Sequence, residues 1–137
     1  MDPFYQIMRI SAAGLEAQAA RIRVVTENIA NANSTADAAG GDPYRRKTIT
    51  FQSEIDRRLG VELVRVRSLG VDNTAFRSEY RPGHVAADEK GYVKVPNVNV
   101  FLEAADLKEA NRTYQANLQT FRQAKEIHAQ TIDLLKG

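Results

Sequence analysis

The chain has 137 residues, a net charge of +2 and no cysteine, so one domain is the default, and neither a disulfide framework nor a thiolate metal site is available. The charge excess is local: residues 1–35 carry three basic and three acidic side chains, 97–137 carry five of each, and 36–96 carry eleven basic against nine acidic. Both ends are therefore free of the net repulsion that opposes close packing.

The first helix is predicted to begin at Asp2-Pro3, an N-cap type residue followed by a proline suited to the first turn, and to run to about Asn31. Within it Met8, Leu15, Ile22 and Ile29 recur at heptad spacing, with Tyr5, Ala12, Ala19 and Thr26 in the companion position. Alanines fill much of the remainder and let backbones approach closely. Gly14 weakens the helix by about 1 kcal/mol relative to alanine, which marks either a tight contact or a tolerated small residue. Asn31, Asn33 and Ser34 compete for backbone hydrogen bonds and end the helix.

Residues 38–43, with two glycines and a proline, read as a loop. Thr48–Phe51 and Val64–Arg67 alternate at strand period and read as short strands. Tyr80-Arg81-Pro82-Gly83 and Asp88-Glu89-Lys90-Gly91 fit turns, and the latter precedes an extended Tyr92-Val93-Lys94-Val95. A small antiparallel sheet follows from these segments. Pro96 pushes Val95 away from helical geometry, so the second helix starts after it, with Asn97 or Asn99 as its N-cap. From Val100 to Leu135 there is no proline or glycine, and Val100, Leu107, Tyr114, Phe121, His128 and Leu135 repeat at heptad spacing. The expected class is mostly α with a small β region. Residues 1–35 and 97–137 are expected to form a discontinuous coiled-coil core, with 36–96 inserted as a β/loop segment.

The chemistry is sparse. Two histidines, no cysteine and no serine in a glycine-flanked elbow leave no catalytic constellation, and no phosphate-cradling or dinucleotide motif is present. No enzymatic activity, cofactor or metal is expected. His128 lies on the seam, as a spacer or a pH-sensitive contact; His84, after a Pro-Gly turn, reads as solvated. Arg45-Arg46-Lys47, Arg57-Arg58, Arg65 and Arg67 raise the question of nucleic acid, but Glu54, Asp56 and Glu62 interleave with them, so ion pairs at a protein interface or a solvated face are the better reading. No nucleic-acid partner is expected. The N-terminus lacks a signal-peptide pattern and no segment reaches membrane-spanning length, so neither a cleaved leader nor membrane insertion is expected.

Several runs resemble the flagellar axial rod and hook protein family, over nearly the whole chain. Ser11-Ala12-Ala13-Gly14-Leu15 and Asn28-Ile29-Ala30-Asn31-Ala32-Asn33-Ser34 are similar to its N-terminal rod signature. Pro43-Tyr44-Arg45-Arg46-Lys47, Gly91-Tyr92-Val93, Pro96-Asn97-Val98-Asn99-Val100 and Tyr114-Gln115-Ala116-Asn117 narrow the likeness to the proximal rod. Where the family commonly has a proline and aspartates after the His84 turn, this chain reads Val85-Ala86-Ala87-Asp88-Glu89-Lys90.

The resemblance implies a non-enzymatic subunit of the basal-body rod, exported through the flagellar type III apparatus without a cleaved signal and assembled helically across the periplasm, transmitting torque and enclosing the export channel. Its partners would be copies of itself, other rod proteins and the export apparatus. The seam residues expected to meet neighbouring subunits are Met8, Leu15, Ile22, Ile29, Leu107, Tyr114, Phe121 and Leu135, joined by Asn117 of the matching Tyr-Gln-Ala-Asn run. Asn28, Asn31 and Asn33 are expected to cap the first helix and bond across the subunit boundary, and Arg45 and Arg46 to reach a neighbour's acidic surface. The residues also admit another rod component, or a soluble coiled-coil adaptor or chaperone that binds without polymerising.

Overall fold

A computed structural model describes residues 2–137; Met1 lies outside the described residues. Two long helices, α1 (Pro3–Ala30) and α2 (Val100–Lys136), flank four strands: β1 (Lys47–Asp56), β2 (Val61–Val71), β3 (Arg77–Tyr80) and β4 (Tyr92–Val95). Both helices follow the expected bounds closely. Asp2 caps α1, its Oδ1 accepting the Phe4 amide at 2.9 Å, and Asn99 rather than Asn97 caps α2, accepting the amides of Phe101 and Leu102 at 3.1 and 3.3 Å. At its far end α1 is closed by Asn31, whose side-chain amide donates to the Glu27 carbonyl at 3.0 Å.

The strands form two two-stranded sheets, β1 with β2 and β3 with β4. β1 and β2 extend well beyond the segments that alternate in sequence. Residues 52–55 of β1 and 68–71 of β2 are exposed on both faces, so pairing continues where no burial pattern marks it. β3 was not legible either, because its four residues are all exposed. Tyr80, placed in a turn by the sequence reading, ends this strand opposite Tyr92, their rings 5.3 Å apart. β4 matches expectation, with Val93 and Val95 buried and Tyr92 and Lys94 outward. Gly91, at φ +86° and donating to the Asp88 carbonyl at 3.0 Å, supplies the turn geometry that leads into β4.

The contacts divide into two compact units. One comprises Met1–Ile22, Thr50–Ser68 and Lys108–Gly137. Here α1 and α2 pair antiparallel: Asp2 meets His128 at 2.5 Å, Gly14 lies against Asn117, and Arg21 meets Glu109 at 3.4 Å, so positions on α2 fall as those on α1 rise. The buried line uses small residues, Ala13, Gly14 and Ala17 on α1 with Ala110 and Ala124 on α2. A Cβ at position 14 would fall 2.6 Å from the Asn117 Nδ2, so this glycine is a close-approach residue. Leu59 and Leu63 of the hairpin and the polar Ser11 are buried as well, and Gln6 donates to the Leu59 carbonyl at 2.8 Å.

The other unit comprises Arg23–Ile49 and Leu69–Leu107. Its core gathers Val24, Val25, Ala86, Val93, Val95, Pro96 and Val98 around two buried polar residues, Asn28 and Glu103. His84 is half-buried rather than solvated, its Nδ1 accepting the Ala86 amide at 3.0 Å. No helix of the described residues is long and apolar enough to cross a membrane.

Candidate functional site

The most organised chemistry in the molecule is a buried polar network in the second unit. Asn28, at 0% exposure, uses its full hydrogen-bonding capacity, two donors and two acceptors. Its Nδ2 donates to the Lys47 carbonyl at 2.9 Å and to Glu103 Oε2 at 3.3 Å. Its Oδ1 accepts from the Tyr44 hydroxyl at 2.6 Å and the Lys47 amide at 2.8 Å. Glu103, from the first turn of α2, also pairs with the Arg46 guanidinium, which reaches Asp72 Oδ2 at 3.4 Å as well.

Asn97 extends the network. Its Oδ1 accepts the Arg46 amide at 2.8 Å, and its Nδ2 donates to the carbonyl of Asp72 at 2.9 Å and that of Thr74 at 3.2 Å. Arg45 donates to the same two carbonyls at 2.9 and 3.1 Å and lies over the Phe76 ring, 4.1 Å from its centroid. Lys47 meets Glu27 at 2.6 Å. Among the described residues no buried side-chain nitrogen or oxygen lacks a partner, the condition under which a buried polar network rigidifies a fold instead of weakening it.

The electrostatics follow the geometry. Burial, followed by the Glu27 carboxylate, pushes the Tyr44 hydroxyl above its ordinary range. The bond to Glu103 raises Arg46, and the bond to Glu27 raises Lys47. Donation from the Thr74 backbone, then its side chain, holds Asp72 below the usual carboxylate range, with Arg46 adding to it. The arrangement holds charges in fixed pairs; its action is mechanical, tying the end of α1, residues 44–47, residues 72–74 and the start of α2 together.

Beside the network an open cleft of about 580 Å³ is lined by Ala32, Asn33, Arg77, Asn97, Val98, Asn99, Val100 and Phe101. Of the residues singled out from sequence, Asn28 is fully buried in the network, Asn31 is half-buried at the helix end, and Asn33 is exposed on the cleft. Arg45 and Arg46 are half-buried with intrachain partners. Met8, Leu15, Ile22, Ile29, Leu107, Tyr114, Asn117 and Phe121 are half-buried, and Leu135 is exposed. Glu103, Asp72 and Asn97 escaped notice as site residues. Nothing local distinguishes Glu103 or Asp72; only the asparagine pair at 97 and 99 offered a signal.

The network unites three of the sequence runs noted above, those at 28–34, 43–47 and 96–100. Comparison with known proteins bears on all three. The family described as flagella basal body rod protein matches residues 8–37, and that described as flagellar basal body rod FlgEFG protein C-terminal matches 89–134. A flagellar basal-body rod protein FlgC of Agrobacterium fabrum is 58% identical over 137 residues, covering 100% of this chain and 99% of the relative. The chain belongs to the flagellar basal-body rod protein FlgC family. The FlgC proteins of Salmonella typhimurium, 35% identical over 93% of this chain and 95% of theirs, and of Aquifex aeolicus, 34% identical over 99% and 100%, extend the likeness to distant FlgC members. The family is one of structural rod proteins, so the network belongs to a building block whose work is to hold shape.

Proposed function

We propose that this chain is a structural subunit of the flagellar basal-body rod, polymerising helically with copies of itself and other rod proteins to transmit torque and enclose the export channel. The observation that carries the reading is the full-length identity of 58% to a relative named for the basal-body rod. The exposure pattern supports it. The fully buried positions of the paired helices are alanines, with Gly14 against Asn117, while Met8, Leu15 and Ile22 on α1 and Tyr114 and Phe121 on α2 stay half-exposed, available to a neighbouring subunit's helices.

In this proposal those residues, with Ile29, Leu107, Asn117 and Leu135, meet neighbours in the rod; Asn31 and Asn33 bond across the boundary; and Asn28, Arg45 and Arg46 hold the loop that is presented there. The terminal helices build the inner tube and residues 36–96 face outward. The subunit passes through the flagellar type III apparatus and resides in the part of the rod that crosses the periplasm. Heterologous contacts between unlike surfaces generate the open helix a rod requires.

The absence of native cysteine provides the test. A Leu15→Cys chain is expressed in motile cells lacking the wild-type copy, basal bodies are isolated, and crosslinks to rod subunits are sought. Crosslinked chain in the basal-body fraction is the expected result; a functional variant confined to the cytosol would overturn the reading.

A further inference from the structure

Both sheets have only two strands among the described residues, so each strand has an edge that no third strand covers. In the β3–β4 ladder Arg81 donates to the Gly91 carbonyl at 2.9 Å, which fixes the bonded pairs as Arg81/Gly91, Glu79/Val93 and Arg77/Val95. The N–H and C=O groups of Ser78 and Tyr80 therefore point off the outer edge of β3, and all four β3 residues are exposed. On β1 the N–H and C=O of Lys47 leave the ladder for Asn28. Alternation sends those of Ser53 and Ile55 outward too, within the stretch 52–55 where every residue is exposed.

Such edges are templates for a strand of another chain, and charge decides which strand fits. On β3, Glu79 is held by Arg81 at 2.5 Å, and Arg77 has no partner among the described residues. A second β3 laid antiparallel, Ser78 against Tyr80, would set Arg77 opposite Arg81 and Glu79 opposite its own copy, so like charges oppose self-pairing. β2 carries Arg65, held by Glu16 at 3.2 Å, the unpaired Arg67, and Glu62 only at its turn end, so its exposed stretch has the same sign as Arg77. β1 offers the opposite sign. Glu54 is the one charge between residues 52 and 55 and has no partner among the described residues, while the next acid, Asp56, meets Arg9 at 3.9 Å.

We propose that the outer edge of β1 in one subunit pairs antiparallel with the outer edge of β3 in a neighbouring copy of this chain, Ser53 opposite Ser78 and Glu54 opposite Arg77. In this register Glu79 and Arg81 face the uncharged Gln52 and Thr50, and the turn residues Arg57 and Arg58 fall opposite the uncharged Thr74 and Asn73. Tyr80, 59% exposed beside Tyr92, meets Phe51, and Ile55, 62% exposed, meets Phe76, the aromatic and β-branched pairings that stabilise neighbouring strands. The contact goes beyond the helix seams of the rod reading and rests on that reading for the presence of neighbours. It joins unlike edges, so each copy offers one of each, as a polymer requires.

The test follows altered chains into basal bodies. Ser78→Pro removes an N–H with no intrachain partner, and proline is tolerated on a strand edge whose N–H faces outward; Ser78→Ala is its control. Ser78→Pro should enter basal bodies about tenfold less than Ser78→Ala or lower, at equal cellular level and equal urea midpoint. In a separate chain, Glu54→Cys together with Arg77→Cys, oxidised in isolated basal bodies, should give disulfide-linked oligomers of this chain, and neither single variant should. Normal incorporation of Ser78→Pro, a lowered urea midpoint for it, absence of the linked oligomers, or a disulfide closed within one chain would each overturn the proposal. Absence of both wild type and Ser78→Ala from basal bodies would instead count against the rod reading itself.

Discussion

Replacing Asn28 by aspartate is nearly isosteric and isolates what the buried network does. The carboxylate keeps both acceptances, from the Tyr44 hydroxyl and the Lys47 amide, and loses both donations, to the Lys47 carbonyl and to Glu103. Two lost hydrogen bonds are worth about 1 kcal/mol each. The larger effect is a second negative charge at a position with 0% exposure facing the Glu103 carboxylate, and breaking the balance of a buried ionic cluster costs about 3–5 kcal/mol. Against a domain stability of roughly 5–15 kcal/mol this is a large fraction.

The penalty should depend on pH. Burial and the neighbouring carboxylate raise the new acid's pKa in the folded state above its unfolded value near 4. For a group raised on folding, stability is retained below the unfolded pKa and lost as pH rises through the folded one. The difference between wild type and Asn28→Asp in urea unfolding, followed by circular dichroism, should therefore be about 3–5 kcal/mol at pH 7 and shrink toward roughly 1 kcal/mol near pH 4. Equal midpoints at pH 7, or a difference unchanged between the two pH values, would refute the reasoning.

Gly14→Ala places a methyl group 2.6 Å from Asn117 Nδ2 and 2.9 Å from its Cγ, so overpacking of about 1–3 kcal/mol should outweigh the ~1 kcal/mol gain in helix propensity. In an Asn117→Ala background the same change should stabilise, and additive unfolding energies across the cycle would remove the steric account. Asp72, held low by Thr74 and Arg46, contributes stability that is present above its unfolded pKa near 4 and lost as pH falls through its folded value. Asp72→Asn should accordingly be less stable than wild type at pH 7, with the gap closing as acid is added; a gap independent of pH would contradict this. Tyr44 and Lys47 are both raised, so their stability is intact below pH ~10 and declines as alkali carries the solution through their folded values. Tyr44→Phe should cost about 1 kcal/mol at pH 7 by removing one donor to Asn28 and flatten the alkaline decline. An unchanged midpoint at neutral pH would show that the hydroxyl contributes nothing.

Local physics set the elements that could be read without a structure. Heptad spacing, the Asp2-Pro3 start and the Pro96 break placed both helices, and the Asp88–Gly91 turn ahead of an extended run placed β4, because each of these signals lies within a few residues of the structure it specifies. β3 and the outer parts of β1 and β2 were invisible because exposed hairpin residues carry no burial pattern. The heptads drew attention to the large side chains, whereas the fully buried positions of the paired helices are the small Ala13, Ala17, Ala110 and Ala124, with Gly14 lying against Asn117; small residues carry little hydrophobic signal, and the value of Gly14 is a close approach that only the partner helix reveals. The sequence by itself determined two long amphipathic helices around a small β region and the family the chain resembles. Only the tertiary structure decided that Asn28 is a buried hub, since its four bonds go to Tyr44, Lys47 and Glu103, and a polar side chain is affordable in a core only when groups distant in sequence converge to satisfy it.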